Sequence, residues 1–166
     1  ISECLVGSEM CIRDRNTENG TDDVLRHFLL RGGSIRMLQD IEQADLDRIY
    51  AYATQLFEAE AFESARNFYY LLARIDHWNF DYWLALGLSY QRLQQNEEAL
   101  FSFCRAGMIR VEDPRPAFFA GLCYQVLGNV AYARKAFHAA LRWCGSHADH
   151  EPVRRAAVAS LGALED

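Results

Sequence analysis

The 166-residue chain has three prolines, one lysine among its 17 basic residues, and no long run of apolar residues. A membrane-spanning helix needs about 20 apolar residues in succession, so none is expected, nor is a secretory apolar core. Acidic residues outnumber basic ones, 23 to 17, for a formal net charge of −6. The arginines are scattered, with no stripe to follow phosphates, which argues against nucleic acid as a partner. Also missing are a glycine-rich phosphate loop, a serine elbow and a Cys–His pair with an orienting residue. The expectation is a protein that is not an enzyme and carries no cofactor.

Apolar residues make up 51% of the chain and aromatics 13%, enough for the core of one ordinary domain. The first fifteen residues stand apart. Within them, LVGSEMCIRDR (Leu5 to Arg15) resembles the in-frame translation of a transposase adapter used in sequencing libraries. Residues 1–15 are therefore expected to take no part in the fold. Without Cys4 and Cys11, the remaining cysteines are Cys104, Cys123 and Cys144. This odd number, each in an apolar helical pattern, suits reduced thiols used as small hydrophobes in a reducing cytoplasm.

The stretch from Phe80 to Asp113 organises the rest. Trp83, Leu86, Gly87 and Tyr90 are followed by Ala99, Phe103 and Ala106, a spacing that resembles the tetratricopeptide repeat. Trp83, Leu86 and Tyr90 share one face of a first helix. Gly87, Ala99 and Ala106 let a second, antiparallel helix come close. A shift of 34 residues backward places Ile49, Tyr52, Ala53 and Leu56, then Ala65, Tyr69 and Leu72, in the same roles. A forward shift gives Ala120, Gly121, Tyr124, Ala133, Phe137 and Ala140, with Ala117 the weakest match, in the place of Trp83. Three hairpins in register, over 46–79, 80–113 and 114–147, predict an all-α short solenoid. Pro114 and Pro116 mark a junction between helices.

One hairpin cannot bury its own apolar face, so the ends need covers. Residues 16–42 read as an N-terminal helical cap. Thr21 caps a first piece bearing Val24, Phe28 and Leu29, Gly32-Gly33 end it, and Ser34 caps a second piece with Ile35, Leu38 and Ile41. Phe28, Leu29 and Leu38 are candidate dimer contacts. After a turn at Cys144 to Asp149, residues 150–166 read as a capping helix, with Pro152 in its first turn and Val153, Ala157, Leu161 and Leu164 on one face.

Further residues carry a narrower likeness. Gly32-Gly33-Ser34-Ile35 resembles the glycine-glycine-threonine stretch before the repeats of SycD/LcrH-type chaperones. LLARIDHWNFDYWLALGLSYQ (Leu71 to Gln91) resembles their link from first to second repeat, and Pro114-Arg115 their next junction. These are the class II, or translocator, chaperones of bacterial type III secretion. The similarity runs from about Asp22 to the end, departing at Ser34 and in the final helix.

The resemblance implies a cytoplasmic, ATP-independent holding chaperone for hydrophobic pore-forming translocators, often a homodimer, with no direct membrane association. The concave face of the repeats would hold an extended client segment, often with a Pro-x-Leu-x-x-Pro motif. By position in the first helix of each repeat, the implied groove residues are Tyr50, Thr54 and Phe57; Leu84, Leu88 and Gln91; and Phe118, Leu122 and Gln125. The first three match family pocket positions. Only Arg92 and Arg115 bring positive charge there, which suits an apolar extended client better than a charged tail. A general tetratricopeptide adaptor unrelated to secretion is the alternative reading.

Two chemical readings are weaker. Cys144, His147 and His150 have the spacing C-x2-H-x2-H, which could supply three zinc ligands. However, Cys144 follows Trp143 on an apolar face and the histidines fall on a polar turn, so no metal is expected. Glu58, Glu60, Glu63, Glu97 and Glu98 are expected to face solvent and begin helices, and His77 to pack or cap at a junction.

Overall fold

The structure, a computed structural model, describes residues 26–39 and 41–164. The readings made for residues 1–25, including the adapter-like segment, Thr21 and Val24, lie outside the described residues, as does the side chain of Leu38. The chain divides into two compact units, one up to Gly33 and one from Ser34 onward. In the first, residues 26–30 are helical and Gly32 turns the chain at φ 87°. Phe28 folds back over Gly33 and is partly buried, while Leu29 and Leu30 are exposed.

The second unit is all-helical among its described residues. Its elements are α1 (Ile35–Gln39), α2 (Gln43–Glu58), α3 (Phe62–Ile75), α4 (Phe80–Arg92), α5 (Asn96–Ile109), α6 (Pro114–Val126), α7 (Val130–Cys144), a 3-10 turn (Ala148–His150) and α8 (Glu151–Gly162). From α2 to α8 each helix packs on the next in the chain, and α4 also touches α6. Among the described residues no helix is long and apolar enough to cross a membrane.

The 34-residue period reaches down to single hydrogen bonds. The turn after α2 is closed by Ala61 N–H to the Leu56 carbonyl (2.9 Å) and Glu60 N–H to that of Phe57 (3.0 Å). The turn after α4 uses Gln95 to Tyr90 (2.9 Å) and Gln94 to Gln91 (3.0 Å). The turn after α6 uses Asn129 to Tyr124 (2.8 Å) and Gly128 to Gln125 (3.1 Å). All three are the 6→1 and 5→2 pair that satisfies a helix's last carbonyls. The pivot is left-handed each time, at Glu60 (φ 61°), Gln94 (φ 61°) and Gly128 (φ 74°). Starts are capped where the sequence supplies an Asx side chain. Asn79 accepts from the Asp81 and Tyr82 amides, Asp113 from Arg115 and Asn129 from Tyr132.

Close approach explains the glycines. A Cβ on Gly87 would lie 2.5 Å from the Phe103 ring, and one on Gly121 2.5 Å from Phe137. Ala65, Ala99 and Ala133 across those seams are fully buried. Tyr52 departs from its expected packing role. It is half exposed and lies edge-on to Phe68 at 5.2 Å, because no hairpin precedes α2 in this unit to cover it. Glu58 and Glu60 likewise depart from expectation: the first ends α2 and the second sits in the turn, whereas Glu63, Glu97 and Glu98 lie in first turns.

Candidate functional site

Because α2, α4 and α6 repeat at 34 residues, equivalent positions form rows across the three helices. One row is Tyr50, Leu84 and Phe118, the next Thr54, Leu88 and Leu122, the third Phe57, Gln91 and Gln125. All are partly buried except Leu84, which at 7% exposure belongs to the core. Leu84 therefore backs the face more than it lines it.

Tyr50 sits 5.5 Å from the Tyr69 ring and 5.6 Å from Tyr82, joining the first hairpin to the second. Burial pushes its hydroxyl up to about 12, the charges of Tyr69 and Asp81 adding to the effect and Arg115 opposing it. Thr54 donates to the Tyr50 carbonyl (2.9 Å), so its oxygen is left to accept from the Tyr69 hydroxyl (3.1 Å). Phe57 meets Phe62 edge-on at 5.2 Å, and the Arg92 guanidinium lies over both rings, 4.4 Å from Phe62 and 6.0 Å from Phe57.

Further along, Gln91 donates to the Cys123 sulfur at 3.6 Å, tying α4 to α6. Burial raises that thiol to about 11, against the opposing Gln91 bond, so Cys123 stays protonated at neutral pH. Phe118 packs on Phe119 (5.4 Å) and Phe137 (5.9 Å). The two cations noted in the sequence differ in kind. Arg115 is held by Asp113 at 2.7 Å. Burial acts to raise the Asp113 pKa, but the hydrogen bonds and charge of Arg115 outweigh it and hold it below the usual value. Arg92 is exposed, and among the described residues no carboxylate lies within 4 Å of it.

This face therefore offers aromatic and aliphatic walls, two glutamine side chains and one uncompensated guanidinium. It has no nucleophile with a neighbouring base. At the other end of the unit, Cys144 is buried with its thiol toward the His150 carbonyl (3.7 Å). The His147 and His150 rings pack at 5.6 Å, and among the described residues no three His, Cys, Asp or Glu side chains group as metal ligands. The Arg92 stack and the Gln91–Cys123 link were missed by sequence reading. The recurrence of arginine and aromatics at helix ends was the signal for the first, and nothing in the spacing signals the second.

Residues 46–79 match the sequence model of the tetratricopeptide repeat. Low calcium response locus protein H of Yersinia pestis is 28% identical over 109 residues, which is 66% of this chain; the chain thus spans 65% of that relative. Chaperone protein SicA of Salmonella typhimurium is 27% identical over 149 residues, 90% of this chain and 88% of SicA. PcrH, a Pseudomonas aeruginosa protein, solved in complex with the chaperone binding region of PopD, superposes with a TM-score of 0.73 at 27% identity, covering 75% of this chain and 94% of PcrH. The chain is thus similar, in sequence and in fold, to tetratricopeptide-repeat chaperones of type III secretion.

Proposed function

We propose that this protein is a translocator chaperone of type III secretion that holds an extended apolar segment of a hydrophobic translocator in the bacterial cytoplasm before export, against the shared face of α2, α4 and α6. The carrying observation is the set of rows from Tyr50 to Gln125, apolar in the middle and partly open. The complex of the similar PcrH with the chaperone binding region of PopD supports the same class of client. Proline and leucine anchors of a Pro-x-Leu-x-x-Pro-like segment would enter the aromatic walls at Tyr50 and Phe57. Gln91 and Gln125 would bond its backbone. An extended peptide with proline loses less entropy on docking than a flexible one. A homodimer through the N-terminal segment, with Phe28, Leu29 and Leu38 in contact, completes the reading.

Phe57→Ala is expected to weaken client binding by about 1–3 kcal/mol, the range of interface hot spots, while the fold survives. Co-expression of the chain with a candidate translocator, then co-purification, tests the reading. A soluble stoichiometric complex, lost when Phe57 and Leu88 are changed to aspartate, is the expected result. A client that precipitates regardless, with nothing co-purifying, would overturn it in favour of a general adaptor.

A further inference from the structure

Resting on that reading of the face, we propose that Arg92 selects clients that carry a carboxylate beside their apolar anchors. Of the two cations at the face, Arg115 is committed to Asp113 through three contacts between the guanidinium and the carboxylate, at 2.7, 3.0 and 3.3 Å. A neighbouring cation, Arg110, pairs with Asp81 at 3.5 Å and lies over Phe80 at 4.3 Å. Arg92 has no such carboxylate partner among the described residues, yet its guanidinium lies 4.4 Å over the Phe62 ring.

A flat guanidinium laid on an aromatic face is already ordered and still presents its edge N–H groups. It can therefore take a carboxylate in a forked, charge-assisted pair with little further loss of freedom. The surroundings sharpen the choice. The adjoining polar positions, Gln91 and Gln125, are neutral, and the apolar positions Phe57 and Leu88 fix where the peptide's anchors sit. A client aspartate or glutamate one or two residues from the anchor at Phe57 would fall at Arg92.

The test is fluorescence anisotropy on the full chain with labelled extended peptides bearing proline and leucine anchors. A single glutamate or glutamine is walked through the other positions. At one register the glutamate peptide is expected to bind about tenfold more tightly than its glutamine analogue, with the gap shrinking as salt rises. Arg92→Gln should remove the gap between the glutamate and glutamine peptides at that register. Arg92→Glu should make a lysine peptide the preferred one at that register, a readout that loss of helix stability cannot mimic. Equal binding of glutamate and glutamine peptides at every register, or a preference that survives Arg92→Gln, overturns the proposal while the binding face stands. If no peptide of the series binds, the reading of the face fails and the proposal falls with it.

Discussion

Between α2 and α6 the buried residues form one continuous cluster, from Leu46 to Cys123, whereas α7 and α8 close over a second, smaller one around Ala133, Phe137 and Ala157. Helix α6 serves both. Phe119 and Ala120 turn to the first cluster, Phe118, Leu122 and Tyr124 to the second. This is why PAFFAGLCYQV shows no polar stripe: a helix covered on two sides reads as apolar all round. The charges divide in the same place. Residues 114–147 hold Arg115, Arg134, Lys135 and Arg142 and no acidic residue, while each of the first two repeats holds five acidic residues and three arginines. The same 34-residue plan thus yields a large core shared by two hairpins and a small one that depends on its capping helix.

The comparison can be broken most forcefully at the paired phenylalanines. Phe103→Ala and Phe137→Ala each remove a fully buried ring, at a cost of about 3–5 kcal/mol. Phe103→Ala should lower the main unfolding transition seen by circular dichroism. Phe137→Ala should instead release α7 and α8 first, visible as early hydrogen exchange confined to residues 130–162. Exchange spread evenly in both variants would mean that the two clusters act as one.

Alkaline titration reaches both clusters, since burial raises Tyr124 and Cys144 on the second side as well. A group whose pKa is raised on folding contributes stability that is intact below its unfolded value and is lost as pH climbs to the folded one. For Cys123 that window is pH 9 to about 11, and for Tyr50 it is pH 10 to about 12, Tyr50 alone accounting for up to about 3 kcal/mol. Tyr69 and Tyr90 shift in the same direction, through burial. Stability measured by urea titration should therefore fall from pH 9 upward, and Tyr50→Phe should flatten the upper part of the decline.

Smaller effects sharpen the parallel between hairpins. Gly87→Ala and Gly121→Ala each drive a Cβ into a phenylalanine ring and should cost about 1–3 kcal/mol, the Gly121 change being felt mainly in the second cluster. Gln94→Gly should stabilise by about 0.5–1 kcal/mol, since it relieves a left-handed residue that Gly128 already serves in the third turn.

Much of this was written in the residue spacing. Small residues at Ala53, Gly87 and Gly121 and at Ala65, Ala99 and Ala133 can do only one thing at those intervals, so the hairpins and their register were legible. What packs on what beyond the hairpin was less so. Leu84 reads like an open position, yet it belongs to the buried core. Tyr52 reads like a buried one but has no preceding hairpin to cover it. Glu60 and Gln94 hide their left-handed turns, because only glycine at Gly128 advertises that geometry. The binding face was legible as a set of positions. Its electrostatics were not, since Arg92 and Arg115 look alike until Asp113 is seen to hold one of them.

The central claim is that a client lies along α2, α4 and α6 and not on the outer face. Site-specific photo-crosslinking during co-expression with a translocator tests it directly. A benzophenone at Leu88 is expected to capture the client, whereas one at the exposed Met108 of α5 should capture none. Crosslinks from Met108 with none from Leu88 would contradict the account.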